Sequence, residues 1–227
     1  MWYTVVMELT LDTNLEIPSL QLGGINLEIG NINTRYKEPK HTKEVNESHL
    51  KYSEAEKLAN DLHIEKGSRY FVFITGNFYF GDFIEALIVK NNYIVEELTI
   101  STLSMNYNNV DSLAILLEGN YVDKLNLIVS HYFFGHERHE HGMINYIYDN
   151  LDIDNKFQLV VCRSHTKINL LKLYNGMRII IHGSSNLRSS GNVEQIVIEE
   201  NEELFDFIYD YEKNDIKRYN LINKGVM

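Results

Sequence analysis

Residues 157–198 read FQLVVCRSHTKINLLKLYNGMRIIIHGSSNLRSSGNVEQIVI. Four apolar runs stand in this stretch: Phe157 to Arg163, His165 to Leu173, Met177 to Ile181 and Val193 to Ile198. The gaps between them are too short for helices, and Asn175-Gly176 is a dipeptide that tight hairpins favour. Consecutive strands are therefore expected, at least two of them joined as a hairpin. The chain before them has another rhythm. Tyr70 to Ile74, Ile94 to Ile100 and Leu125 to Val129 are short β-rich runs separated by helical patterns. Ala55, Leu58, Ala59 and Leu62 recur at helical spacing behind Ser53 and Glu56, which have capping-box spacing. Phe83, Leu87 and Ile88 share one side of a helix opened by Asp82 and Glu85. Asp111 to Glu118 predicts a short helix stopped by Gly119, and Glu137 to Asn150 a further one. Asn201 to Tyr211 closes the pattern as an amphipathic helix. The expected class is α/β, with a mixed, mostly parallel sheet flanked by helices and an antiparallel finish.

Both prolines, Pro18 and Pro39, precede all of this. Weak alternation around Gly23-Gly24 predicts strands or a hairpin there, and Asn31 to Glu47 reads as a polar linker. Residues 1–50 are thus an N-terminal extension, β-rich and then linking, and residues 51–227 form the α/β domain. The 227 residues carry 21 Lys and Arg against 32 Asp and Glu, a formal charge of −11, with 44% hydrophobic and 23% charged residues. These are globular values. No apolar run is long enough to span a bilayer, and the first residues lack the basic segment of a secretion signal, so a cytoplasmic protein without membrane partners is expected. One cysteine, Cys162, excludes an internal disulfide framework and a cysteine-built zinc site. The richness in Asn, Ile, Lys and Tyr fits an AT-rich genome, bacterial or phage.

The chemistry gathers in the quoted stretch. In a strand, residues two apart face the same side, so His165 and Lys167 project together. The hairpin at Asn175-Gly176 returns the chain to Gly183-Ser184-Ser185-Asn186, a small polar segment able to offer hydroxyl, amide and backbone N–H donors to an anion. From Asn155 to Val193 there is no Asp or Glu, while Lys156, Arg163, Lys167, Lys172, Arg178 and Arg188 are all positive. With −11 for the whole and +6 here, the rest carries −17. A local positive field in an acidic chain fits one bound phosphodiester better than a broad nucleic-acid coat.

His165-Thr166-Lys167, Gly183-Ser184-Ser185-Asn186 and Asn192-Val193-Glu194, in that order, resemble the H-x-K, G-S-x-N and N-x-E segments of the phospholipase D superfamily of phosphodiesterases. The order of elements from about residue 67 to 211 is similar to one lobe of that fold. The resemblance implies a phospholipase D-like lobe in which His165 attacks phosphorus to form a phosphohistidine. Lys167 and Asn186 would stabilise the phosphoryl oxygens, and Glu194 would orient His165. Ser184, Ser185 and Arg188 would bind phosphate. It also implies no cofactor and no metal, with nucleic acid a likelier substrate than lipid. The family pairs two such sets, because a second histidine must protonate the leaving oxygen. One set is present here, so a symmetric homodimer is implied. Two departures stand in the sequence: Lys172 occupies the motif's Asp position, and the His-to-Asn interval is about four residues longer. The branch resembling tyrosyl-DNA phosphodiesterases also lacks that Asp.

Plainer readings accompany each residue. His165 and Lys167 alone would be solvated strand residues, and Ser184 to Asn186 a hydrogen-bonded turn. Arg188 alone is an exposed loop arginine, and His182 has no motif role. Lys40-His41-Thr42-Lys43 repeats the H-x-K letters inside the linker. His131, His136, Glu137, His139, Glu140 and His141 form a second cluster, read as a solvated helix start, a divalent-metal site or a partner-facing surface. The alternative to an enzyme is a catalytically silent interaction or assembly protein, built on a phospholipase D-like lobe and carried by a phage or mobile element.

Overall fold

A computed structural model describes residues 47–76, 78–140, 142–188 and 191–218, with helix side chains described except at 47–51, 136–140, 215 and 217–218. The strands expected around Gly23-Gly24, the linker to residue 46 and the His41 segment lie outside the described residues.

Helix α1 (Glu47–Asp61) starts well before Ser53, so Ser53 and Glu56 are an interior pair and not a cap. The face anticipated for it is the buried one: Ala55 and Ala59 are fully buried and Leu62 nearly so. Strand β1 (Arg69–Ile74) leads to α2 (Phe80–Lys90), which buries Phe83, Ile84, Leu87 and Ile88. After β2 (Val95–Thr102) comes α3 (Tyr107–Glu118), which begins one turn earlier than expected. Its cap is Asn106, whose side chain takes the Asn109 N–H while the Asn109 side chain takes the Asn106 N–H. Two asparagines here do the work of the usual Ser–Glu pair. The single helix expected over Glu137 to Asn150 is two, α4 (His131–Glu140) and α5 (Met143–Leu151), which lie between β3 (Leu125–Ser130) and β4 (Phe157–Cys162) in the chain. Gly142 divides them with φ +65°, a left-handed conformation that favours glycine.

The four consecutive strands are present as β4, β5 (Ile168–Leu173), β6 (Arg178–Gly183) and β7 (Glu194–Glu200). The β5–β6 hairpin closes with Gly176 N–H to Leu173 O at 3.1 Å and Leu173 N–H to Met177 O at 3.1 Å. Gly176, at φ +92°, takes the left-handed position after the turn. Strand β5 starts at Ile168 rather than His165. Ser164 Oγ accepts the Thr166 N–H at 3.1 Å, and this local turn draws residues 164–167 off the ladder.

The sheet order is β1-β7-β6-β5-β2-β3-β4. The mixed α/β class is as expected, with a different balance of pairings. Among the described residues, β2–β3 and β3–β4 pair in parallel and the other four strand pairings are antiparallel. Following those pairings, β1, β6, β2, β3 and β4 point one way and β5 and β7 the other. One face of the sheet packs against α1 to α5 in a continuous core. Among the described residues the other face is covered by α6 (Glu202–Arg218), which runs past the expected end at Tyr211. Its Phe205 packs on Leu170 and Ile180, and its Ile216 on Ile128, Val160 and Cys162. Burying a side chain like Phe205 contributes about 1.5–3 kcal/mol. No helix among the described residues is long and apolar enough to cross a membrane.

Helix α6 is also tied to β2 through a carboxylate. Glu97 Oε2 accepts from the Tyr209 hydroxyl at 2.9 Å, and Oε1 from Asn126 Nδ2 at 2.6 Å and Lys124 Nζ at 3.1 Å. Burial pushes the Glu97 carboxyl up, but these donors outweigh it and hold it below the ordinary value of 4.5. A depressed carboxyl adds stability above its unfolded pKa and loses it as pH falls through the folded one. Glu97→Gln should therefore lower unfolding free energy at pH 7 by about 1.5–3 kcal/mol. Urea titrations at successive pH values should show that deficit shrinking below pH 4.5.

Candidate functional site

Strand β2 sits in the middle of the sheet, and its last residues hold both halves of the motif. Ser101 is buried, and its Oγ lies 2.6 Å from Thr166 Oγ1, which in turn is 2.7 Å from Ser164 Oγ. These hydroxyls anchor the His165-Thr166-Lys167 segment by its middle residue. On the other side, Asn186 Oδ1 accepts the Leu103 N–H at 3.0 Å and lies 3.4 Å from Thr102 Oγ1. Thr102 Oγ1 accepts the Leu187 N–H at 3.3 Å and donates to the Ser104 carbonyl at 3.0 Å. Three more backbone bonds seat the loop: Gly81 N–H to Leu187 O at 3.1 Å, Arg188 N–H to Ser104 O at 3.3 Å, and Gly183 N–H to Lys167 O at 3.3 Å. The last of these sets the two motif segments side by side.

Gly183 is required for this approach. An added Cβ would meet the Gln195 carbonyl oxygen at 2.1 Å and Ile196 Cα at 2.8 Å, both backbone atoms that cannot step aside. Next to it, Ser184 N–H donates to Gln195 O at 2.9 Å, and Ser184 Oγ accepts the Gln195 N–H at 3.0 Å. The same hydroxyl donates to the Glu194 carboxylate. Ser184 and Glu194, ten positions apart, are thus joined directly. Ser185 is buried, with its hydroxyl on the Asn186 carbonyl at 3.1 Å, so Ser184 is the exposed serine of the pair.

His165 is exposed and Lys167 half-buried, the lysine ammonium 3.2 Å from the His165 carbonyl. Arg188 is exposed on the loop. The Leu103 N–H can only donate, so the Asn186 oxygen must face it and the Nδ2 points away as a donor. The His165 imidazole, the Lys167 ammonium, the oriented Asn186 amide and the Ser184–Glu194 pair stand on segments that the Gly183–Lys167 backbone bond sets side by side. The ties through Ser101, Thr102 and Leu103 were missed in the sequence. Two hydroxyl residues at the end of a mixed strand, VEELTIST, are a faint signal.

Other cationic and acidic residues are used elsewhere. His182 Nε2 lies 3.1 Å from Glu199 Oε1, and Arg69 Nε 3.2 Å from Glu199 Oε2. Burial pushes Glu199 up, yet His182 and Arg69 hold it below its ordinary value. Lys172 Nζ is 2.5 Å from Glu96 Oε1. No group of three or more His, Cys, Asp or Glu side chains that could hold a metal is found among the described residues. In the second cluster, His131 is exposed at the start of α4, whereas the side chains of His136, Glu137, His139 and Glu140, and all of His141, lie outside the described residues.

No protein-family model matches the chain, and no curated protein matches it by sequence. Solved structures do. The chain is similar to a phospholipase D family member, Nuc from Salmonella typhimurium, with a TM-score of 0.50 at 12% identity, covering 70% of this chain and 100% of that one. It is also similar to NucT from Helicobacter pylori (TM-score 0.49, 11% identity, 69% of this chain and 100% of that one). Phosphatidylserine synthase from Haemophilus influenzae Rd KW20 gives a TM-score of 0.47 at 14% identity, over 69% of this chain and 40% of that one. The fold is phospholipase D-like.

Asn186→Asp separates the two jobs of this side chain. It keeps an acceptor for the Leu103 N–H but replaces the outward amide donor with a carboxylate oxygen. The variant should melt within a few degrees of wild type, while Asn186→Ala loses about 1 kcal/mol. Thermal stabilisation by added inorganic phosphate, expected for the wild type, should vanish in both.

Proposed function

We propose that the chain is a metal-independent phosphodiesterase acting on nucleic acid through a phosphohistidine intermediate. The observation that supports this best is the Gly183 N–H bond to the Lys167 carbonyl beside the Ser184–Glu194 pair, which sets the H-x-K and G-S-x-N segments side by side. In the proposed reaction the His165 ring nitrogen attacks phosphorus and a P–N bond forms as the P–O bond to the leaving group breaks. Lys167, Ser184 and the Asn186 amide carry the charge on the non-bridging oxygens. Glu194 orients the ring through its second nitrogen, exchanging Ser184 for His165 when substrate is bound. Ser185 shapes the loop and Arg188 meets the phosphate from outside.

The leaving oxygen needs a proton, and this chain offers one H-x-K set among its described residues. A symmetric dimer supplies the second, with the His165 of each subunit acting as acid for the other and then as base for the water that breaks the P–N bond and releases a phosphomonoester. The motif segments and the loop from Gly183 would then lie at the two-fold axis. One observation favours a non-catalytic reading: the motif's Asp position is a lysine engaged with Glu96.

Hydrolysis of an aryl phosphodiester and of single- and double-stranded DNA in excess EDTA decides between the two. Activity should persist in the chelator and fall by at least about a thousandfold in His165→Ala, as loss of a nucleophile requires. An inactive wild type would leave the interaction protein standing, and activity that needs divalent metal would refute the mechanism.

The dimer has its own measurement. Mixing wild type with an excess of His165→Ala should leave mixed dimers nearly inactive, so activity falls faster than the wild-type fraction. A strictly proportional decline, or a fully active monomer in sedimentation, would place the acid on another residue of the same subunit.

A further inference from the structure

We infer that the sheet rim beside the phosphate cradle is a stacking surface for single-stranded nucleic acid, with Tyr132 and the Tyr107–Tyr146 pair as its base platforms. This rests on the phosphodiesterase reading of the adjoining site and goes beyond it by naming which face of the substrate is held. The placement follows from strand register. Thr102 pairs with Val129 and Ser130 with Cys162, so β2, β3 and β4 end side by side. The residues that leave these ends are Leu103 to Tyr107 from β2, His131-Tyr132 from β3 and Arg163 from β4. The loop after β6 joins the same rim through Arg188 N–H to Ser104 O at 3.3 Å. From β6 to β4 the rim crosses four strand spacings, roughly 19 Å.

Three properties of this rim suit a base-bearing strand. Tyr132 is 81% exposed and Tyr107 41%, values that core packing does not explain. The Tyr107 and Tyr146 rings meet edge to face at 4.8 Å, and Tyr146 is fixed by its hydroxyl on Asp111 at 2.6 Å. A platform held this way loses little freedom when a base settles on it. Arg163 and Arg188 are exposed at opposite ends of the same rim, with half-buried Lys167 between them. Among the described residues, Asp111 in the second turn of α3 and Glu194 at the start of β7 are engaged by Tyr146 and Ser184. Aromatic faces interleaved with cations bind single strands by stacking, while a duplex hides its bases from such a surface.

The test is equilibrium binding of the full chain, by fluorescence anisotropy, to three labelled probes at fixed ionic strength. They are a short oligothymidylate, an abasic strand of the same length and a duplex. The oligothymidylate should bind roughly tenfold or more tightly than the abasic strand, and more tightly than the duplex. Tyr132→Ala and Tyr107→Ala should erase most of that preference, and Tyr132→Phe should keep it. Arg163→Ala should weaken all three probes and reduce the salt slope by roughly 0.7 on single strands. Equal binding of the abasic strand or the duplex, or an unchanged preference in Tyr132→Ala, would overturn the inference. Hydrolysis of the small aryl diester reports on the phosphodiesterase reading alone, so an inactive protein that still prefers bases, and an active one that does not, are distinct results.

Discussion

Everything at the candidate site hangs from three consecutive residues at the end of a central strand. Ser101 faces the α6 side of the sheet and takes Thr166, while Thr102 and Leu103 take Asn186 and Leu187. A strand end in the middle of a sheet is among the least mobile places in a fold, since its neighbours pair with it on both sides. Two loops that would otherwise be free are therefore positioned by one rigid element, at the cost of burying two hydroxyls that must be satisfied. Each of those hydroxyls has a partner, which is the condition for their being there.

The antiparallel half of the sheet brings the second motif segment to the same end. Parallel strands β2, β3 and β4 all finish at one edge, where their loops gather. Strand β6 runs in their direction because two hairpin-like reversals separate it from β2 in the sheet, so its terminal Gly183 arrives at that edge too. Strand β5 runs the other way, so it is the approach to its start, not its end, that lies beside Gly183. A mixed sheet of this order is what lets an H-x-K before one strand meet a G-S-x-N after the next. The close passage of β6 over β7 then admits no side chain at position 183.

Much of this was legible in residue patterns, and the misses share a cause. Period and turn residues located the strands after Phe157, because β-branched runs and Asn-Gly punctuation are local signals. The helix boundaries at Glu47 and Tyr107 escaped, since an interior Ser–Glu pair looks like a cap and an Asn–Asn cap does not. The alternation from His165 to Lys167 is strand-like. The competing turn needs Ser101 to hold Thr166, a partner 65 positions away. Strand direction follows the expected parallel units in β2, β3 and β4 and the expected antiparallel finish in β5, β6 and β7, while the antiparallel pairings of β5 with β2 and of β1 with β7 are tertiary outcomes. The motif letters were visible, but what orients Asn186 was not, for it lies in a backbone N–H of a residue whose identity carries no signal.

The lysine at the motif's acidic position bears on whether such a site can work. Lys172 stands near the far end of β5 (Ile168–Leu173), about 14 Å along the strand from Ile168, the first residue after Lys167. Its register partner is Arg178, near the hairpin at the opposite end of the sheet. Two cations placed directly across a ladder repel one another. Here Glu96 pairs with Lys172, and Arg178 stacks its guanidinium 5.7 Å over the Phe205 ring and reaches the carbonyls of Gly176 and Met177. The substitution is thus absorbed by a local set of partners that also fastens the start of α6. Separation of this size, with the charge neutralised by an adjacent carboxylate, leaves little field at His165. Lys172 therefore takes part in holding the far end of the sheet together, with its charge met by Glu96.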